Sequence, residues 1–110
     1  MSLEDPNVID FIAVEERGDV LLVMVEGRKW DGSDERLFQL QEKVNTYASF
    51  ALDGQLHEKY PEVKGRPVCI ELRCVDLPDT KTSEFIDDFF VKLDVEGLSF
   101  RIKLIGSVPS

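Results

Sequence analysis

Apolar residues along the chain fall into four extended runs and two helical stripes. Val8 to Val14 and Val20 to Val25 are rich in β-branched residues and are separated by Glu15 to Asp19, the pattern of a β-hairpin. A three-residue loop, Glu16-Arg17-Gly18, with Gly18 in the left-handed conformation, fits a type I turn followed by a bulge. That loop sets a register in which Ile9 opposes Val25, Phe11 opposes Val23 and Ala13 opposes Leu21. The face so formed is wholly apolar and is predicted to be core. The other face carries Ile12, Val14, Val20, Leu22 and Met24, with Asp10 and Glu26 farther from the turn, and is predicted to point outward.

Ser33 is placed to cap a helix whose first turn holds Asp34 and Glu35, both favourable at the positive end of the helix dipole. Leu37, Leu40, Val44, Tyr47, Ala48 and Ala51 recur at spacings of three and four as far as about Asp53, and Gly54 supplies a stop. Gln55 to Gly65 reads as a short helical turn and a loop. Pro67 to Val75 alternates Val68, Ile70, Leu72 and Cys74 against Cys69, Glu71 and Arg73, a strand with one buried face. A second helix from about Thr80 to Glu96 is predicted to bury Phe85, Ile86, Phe89 and Leu93. The last strand, Leu98 to Ile105, sets Leu98, Phe100, Ile102 and Leu104 against Ser99, Arg101 and Lys103. Right-handed crossovers make the last three strands parallel and leave the first antiparallel to its neighbour. The fold class is therefore α+β: a two-layer ββαβαβ arrangement with a mixed four-stranded sheet and two helices on one face. Strands covered on both sides would read as continuous apolar runs, which the last two do not.

With 110 residues the chain has room for one domain, its ordered core spanning about Val8 to Ile105. Cys69 and Cys74 lie on opposite faces of one strand and are read as reduced thiols. The start of the chain is acidic where an export signal needs a basic residue and an apolar run. No apolar run reaches the 18 or so residues of a membrane span, so the expected location is the cytoplasm, away from membranes. A net charge of −9 repels phosphate backbones and disfavours direct nucleic-acid binding.

Three stretches, Trp30-Asp31-Gly32, Leu37 to Tyr47 and Asp53-Gly54-Gln55-Leu56, resemble a family of small uncharacterised bacterial proteins, a domain of unknown function. The resemblance covers about Val8 to Ile105. It implies a bacterial origin and supplies no catalytic residue.

The residues themselves offer little chemistry. His57 is the only histidine, and nothing in the sequence fixes a nucleophile or an orienting group beside it. Cys69 lies beside Glu71 and Arg73, where a guanidinium could activate a thiol, although a space-filling role is commoner. Two separated cysteines and one histidine do not make a zinc site, and Asp31 to Glu35 lacks the ligand spacing of a calcium loop. Neither a Walker loop nor a dinucleotide fingerprint is present. No catalytic residue, metal or cofactor is expected.

Surfaces remain. The outer hairpin face, with Ile12, Val14, Val20, Leu22 and Met24, is too apolar to stand bare. Either a second copy covers it or the chain's own Gln55 to Gly65 segment or a terminus does. The second helix crowds Glu84, Asp87, Asp88 and Asp94 against only Lys81 and Lys92, a flank able to steer a basic partner or simply to stay solvated. Trp30 is a contact anchor or a plug at the end of the core. The leading expectation is a non-enzymatic protein-interaction domain, as a homodimer or with another protein. The rivals are a small enzyme or ligand binder using the Trp30 loop with Cys69 or His57, and an acidic nucleic-acid mimic.

Overall fold

Alternation cannot choose a face for Val20 to Glu26, because six apolar residues run without a break before the final glutamate. The choice is made by what pairs beside it. The structure, a computed structural model, describes residues 3–5 and 7–106. The hairpin is β1 (Phe11–Val14) and β2 (Val20–Glu26), followed by α1 (Asp34–Leu52), the short α2 (Gln55–Lys59) and a single 3-10 turn at Pro61–Val63. Then come β3 (Val68–Cys74), α3 (Thr80–Val95) and β4 (Ser99–Leu104). The strands form one sheet in the order β1-β2-β3-β4, with β1 antiparallel to β2 and the other pairs parallel. This is the two-layer mixed sheet expected from the periodicity.

Ser33 caps α1 as predicted, and Asp79, which was not among the predicted caps, caps α3. The Ser33 hydroxyl accepts from the Arg36 amide at 3.2 Å, and the Asp79 carboxylate accepts from the Thr82 amide at 2.8 Å, each satisfying an otherwise orphaned donor. Gly18 takes φ 95°, and Phe11 opposes Val23 as the turn requires.

The face assignment of the hairpin is reversed. Val20, Leu22 and Met24 sit level with Val68, Ile70 and Leu72 of β3, and neighbours at one level point the same way. Since β3 turns that set toward the helices, β2 must do so too. Leu22 is 0% exposed, and Val20 and Met24 are equally enclosed with Leu40, Tyr47, Ile86 and Leu93. These three residues are core and are withdrawn as partner contacts. Ile12 packs on the same cluster, while Val14 stays exposed on the outer strand. Part of the cover is the chain's own: Leu3 near the N-terminus, Leu56 of α2 and Val63 of the 3-10 turn all join this core.

The opposite face of the hairpin, predicted to be core, is the helix-free side. There Leu21, Val23, Val25 and Cys69 form a smaller apolar cluster with Phe11, Ala13 and Ile105. The Arg73 guanidinium lies 5.1 Å from the Phe11 ring centre and shields it. β2 is thus buried on both sides, which is why its alternation is blank.

A polar knot ties α1 to the hairpin. The Tyr47 hydroxyl donates to the Val23 carbonyl at 2.7 Å and accepts from the Asp10 amide at 2.8 Å. The Asp10 carboxylate accepts from the Val25 amide at 2.9 Å and from the buried Lys43 ammonium at 2.8 Å. Side chains here replace the next rungs of the β1–β2 ladder, so β1 begins only at Phe11. Burial pushes the Tyr47 hydroxyl pKa well above its ordinary value, so it stays a donor. Among the described residues no helix is long and apolar enough to cross a membrane.

Leu22→Asp should lower unfolding stability by about 4 kcal/mol or more, because it buries an unpaired charge. Val14→Asp, at an exposed edge, should change it by about 1 kcal/mol or less. Urea unfolding measures both, and a folded, stable Leu22→Asp protein would contradict the face assignment.

Candidate functional site

The residues proposed for a small active site do not meet. The Trp30 loop leaves the C-terminal end of β2, where Glu26 stands level with Cys74. Glu26 is fully buried and is gripped by Arg28, whose Nε donates to one carboxylate oxygen at 3.0 Å and whose Nη2 donates to the other at 2.7 Å. Arg36 approaches the same carboxylate at 3.6 Å, and Arg28 also reaches Glu4 at 2.9 Å. The Trp30 indole donates to the Asp76 carbonyl at 3.0 Å and lies 5.9 Å from the Arg36 guanidinium carbon. Trp30 therefore closes this end of the core, with its donor occupied.

Cys69 lies at the other end of β3 and on the other face; five residue steps along the strand separate it from Cys74, about 16 Å of travel. Burial pushes its thiol pKa up, against what a nucleophile needs. His57 is half-buried on α2, on the helix side. The sheet thus stands between His57 and Cys69, and Trp30 is at the far end from Cys69. No nucleophile, base and orienting group converge in these positions.

Ile12 and Val14 do share a cleft, of about 590 Å³, between β1 and the α2 region, with Phe50, Leu56 and Tyr60. Its charged members are Asp10, already held by Lys43, together with Lys59 and Glu62. On the helix-free face a second ion cluster surrounds Glu71, which is 1% exposed. Its carboxylate accepts from Arg73 at 2.6 Å and from Arg101 at 2.7 Å, and Arg101 reaches on to Glu15 at 3.5 Å. Burial pushes the Glu71 carboxyl pKa up, but the two guanidinium hydrogen bonds outweigh it and hold the carboxyl below its ordinary 4.5.

The outer edge of β4 and the adjoining flank of α3 are different in kind. The Ile105 amide bonds to the Cys74 carbonyl, so alternate residues Ser99, Arg101 and Lys103 turn their backbone groups to β3. Phe100, Ile102 and Leu104 turn theirs away from it, and they find no partner among the described residues. Their side chains point to the helix side. Phe100 is buried, meeting Phe90 edge-on at 5.6 Å, but Ile102 and Leu104 are exposed. On α3, Phe90, Val91 and Val95 are exposed as well, Val91 at 69% and Val95 at 82%. With Leu98 and Phe100 they line a shallow groove of about 410 Å³. Exposed Asp87 and Asp94 lie three or four residues from Phe90 and Val91, on the same flank. Glu84 and Asp88 are exposed beside Val91 and Val95, on the side away from Phe90.

Of the surfaces suggested by sequence, the acidic side of α3 adjoins both an apolar strip and, among the described residues, a strand backbone without a partner. The apolar half was missed. Its signal was present: Val91 and Val95, four apart, lie off the stripe formed by Ile86, Phe89 and Leu93.

A family described as a Family of unknown function (DUF6572) matches residues 1–106, and the chain belongs to it. No curated protein and no solved structure matches the chain.

The Glu71 cluster makes a pH prediction. A carboxyl depressed in the folded state adds stability that is complete above its ordinary 4.5 and is lost as pH falls through the folded value. Stability measured by urea unfolding should therefore decline on acidification below about pH 4.5, and Glu71→Gln should flatten that decline. An unchanged acid limb in the variant would contradict the cluster.

Proposed function

We propose that this family member is a non-enzymatic protein-interaction domain, working in the cytoplasm through the edge formed by β4 and α3. One observation carries the reading: exposed Ile102 and Leu104 lie on strand backbone that has no partner among the described residues, and exposed Phe90, Val91 and Val95 line a groove with Phe100 of the same strand. Soluble proteins blunt a sheet edge with charge, proline or a covering segment, because an open apolar edge recruits other chains; β4 carries Arg101 and Lys103 on its helix-free face but is apolar on the helix side. A large apolar strip on a surface has the same meaning, and here the two coincide. The dispersal of Trp30, Cys69 and His57 supports binding over catalysis.

The five exposed side chains together present on the order of 400 Å² of apolar surface, and apolar surface of that scale on a monomer is often functional. Contacts from the β4 backbone and from the surrounding charges would bring such a surface toward the roughly 800 Å² per partner of a standard interface.

Capture on the immobilised chain from extracts of the source cells provides the test. Val91→Lys and Ile102→Lys should lose proteins that the wild type and Val14→Lys both retain, by about tenfold or more if these side chains are central anchors. Thermal melting should show all variants folded. Retention of the same proteins by folded Val91→Lys and Ile102→Lys would overturn the reading.

A further inference from the structure

We propose that the occupant of the β4 edge is an extended segment of a different protein, added as a fifth strand, with apolar and Lys or Arg side chains toward α3 and acidic side chains toward Arg101 and Lys103. The proposal rests on the reading of this edge as the interaction surface.

The backbone sets the geometry. Phe100, Ile102 and Leu104 each present an N–H and a C=O outward from one strand, and an incoming strand satisfies them in the way that peptides add to open sheet edges. Side chains of an added strand alternate between the two faces of the sheet. Those on the helix side meet Ile102, Leu104, Phe90 and Val91, with Asp87 and Asp94 at the border. Asp87 and Asp94 take part in no ion pair among the described residues. Those on the other side meet exposed Lys103 and Arg101, whose guanidinium remains partly exposed although it bonds Glu71.

The same arrangement rejects a second copy. Two β4 strands paired about a two-fold axis would set Arg101 and Lys103 against the same residues of the other copy. On the opposite face the α3 flanks would approach with Asp87 and Asp94 on each. Like charges would meet on both faces, an arrangement that excludes wrong partners. A partner strand with basic residues above and acidic residues below meets neither penalty.

The test uses two capped synthetic peptides and the full chain labelled with nitrogen-15. One peptide, Lys-Glu-Val-Glu-Ile-Glu-Lys, places Lys, Val and Ile on one side and Glu on the other. The second, Glu-Lys-Val-Lys-Ile-Lys-Glu, reverses the charges. The reversed peptide is the more positive, so unspecific attraction to a chain of net charge −9 would favour it. The proposal expects the first to bind about fivefold or more tightly than the second. Shift changes should centre on the Phe100, Ile102 and Leu104 amides, and N-methylation of alternate amides of the first peptide should abolish binding on one of its two edges.

Equal or tighter binding of the reversed peptide, shift changes centred elsewhere, or no binding of either peptide would overturn the proposal. So would concentration-dependent shifts at β4 accompanied by a dimer mass in light scattering, which would make a second copy the occupant. If the peptides fail while Val91→Lys still loses its captured proteins, the edge remains the interaction surface and only the strand partner is refuted.

Discussion

Parallel pairing of β3 with β2 on one side and β4 on the other sets the face of every side chain in the sheet. Val68, Ile70 and Leu72 can turn only one way if Glu71 and Arg73 are to escape the main core. That choice carries Val20, Leu22 and Met24 of β2 and Phe100 of β4 to the helix side. It also leaves Glu71, Arg73 and Arg101 together on the other face, where a buried carboxylate and two guanidinium groups satisfy one another. A slip of one residue would bury those charges under α1 and α3 and expose the apolar set, so the register is strongly specified.

Helix positions, the hairpin turn, the two-layer architecture and the polarity of β3 were all legible in the sequence. Each rests on a local signal: Ser33 at the start of α1, the apolar stripe of Ile86, Phe89 and Leu93 in α3, Gly18 at φ 95°, and the alternation of Val68 to Cys74. The face of β2 was not legible, because Phe11 and Arg73 bury its second side and erase the contrast on which alternation depends. The Asp10–Lys43–Tyr47 knot was invisible for a related reason. Lys43 occupies a helix position that reads as solvent-facing, and the tertiary approach of Asp10 gives it a buried partner.

The candidate site shows the same limit. Its acidic half could be read from composition, since Glu84, Asp87, Asp88 and Asp94 crowd one helix. Its apolar half required knowing which strand ends the sheet. Ile102 and Leu104 continue the apolar side of a strand, and such residues are core in a central strand but surface at an edge left uncovered by a helix. Strand order therefore turns an ordinary apolar alternation into an open surface, and the placement of charge on its two sides gives that surface a polarity.

Among the described residues the outward backbone of β4 has no partner. Amide hydrogen exchange of the isolated protein tests this most directly, because the two halves of β4 serve as each other's control. Phe100, Ile102 and Leu104 are predicted to exchange rapidly, while Arg101 and Lys103, bonded to β3, are protected by the surrounding sheet. Equal protection of both sets in the monomer would mean that the edge is already covered, and would contradict the account.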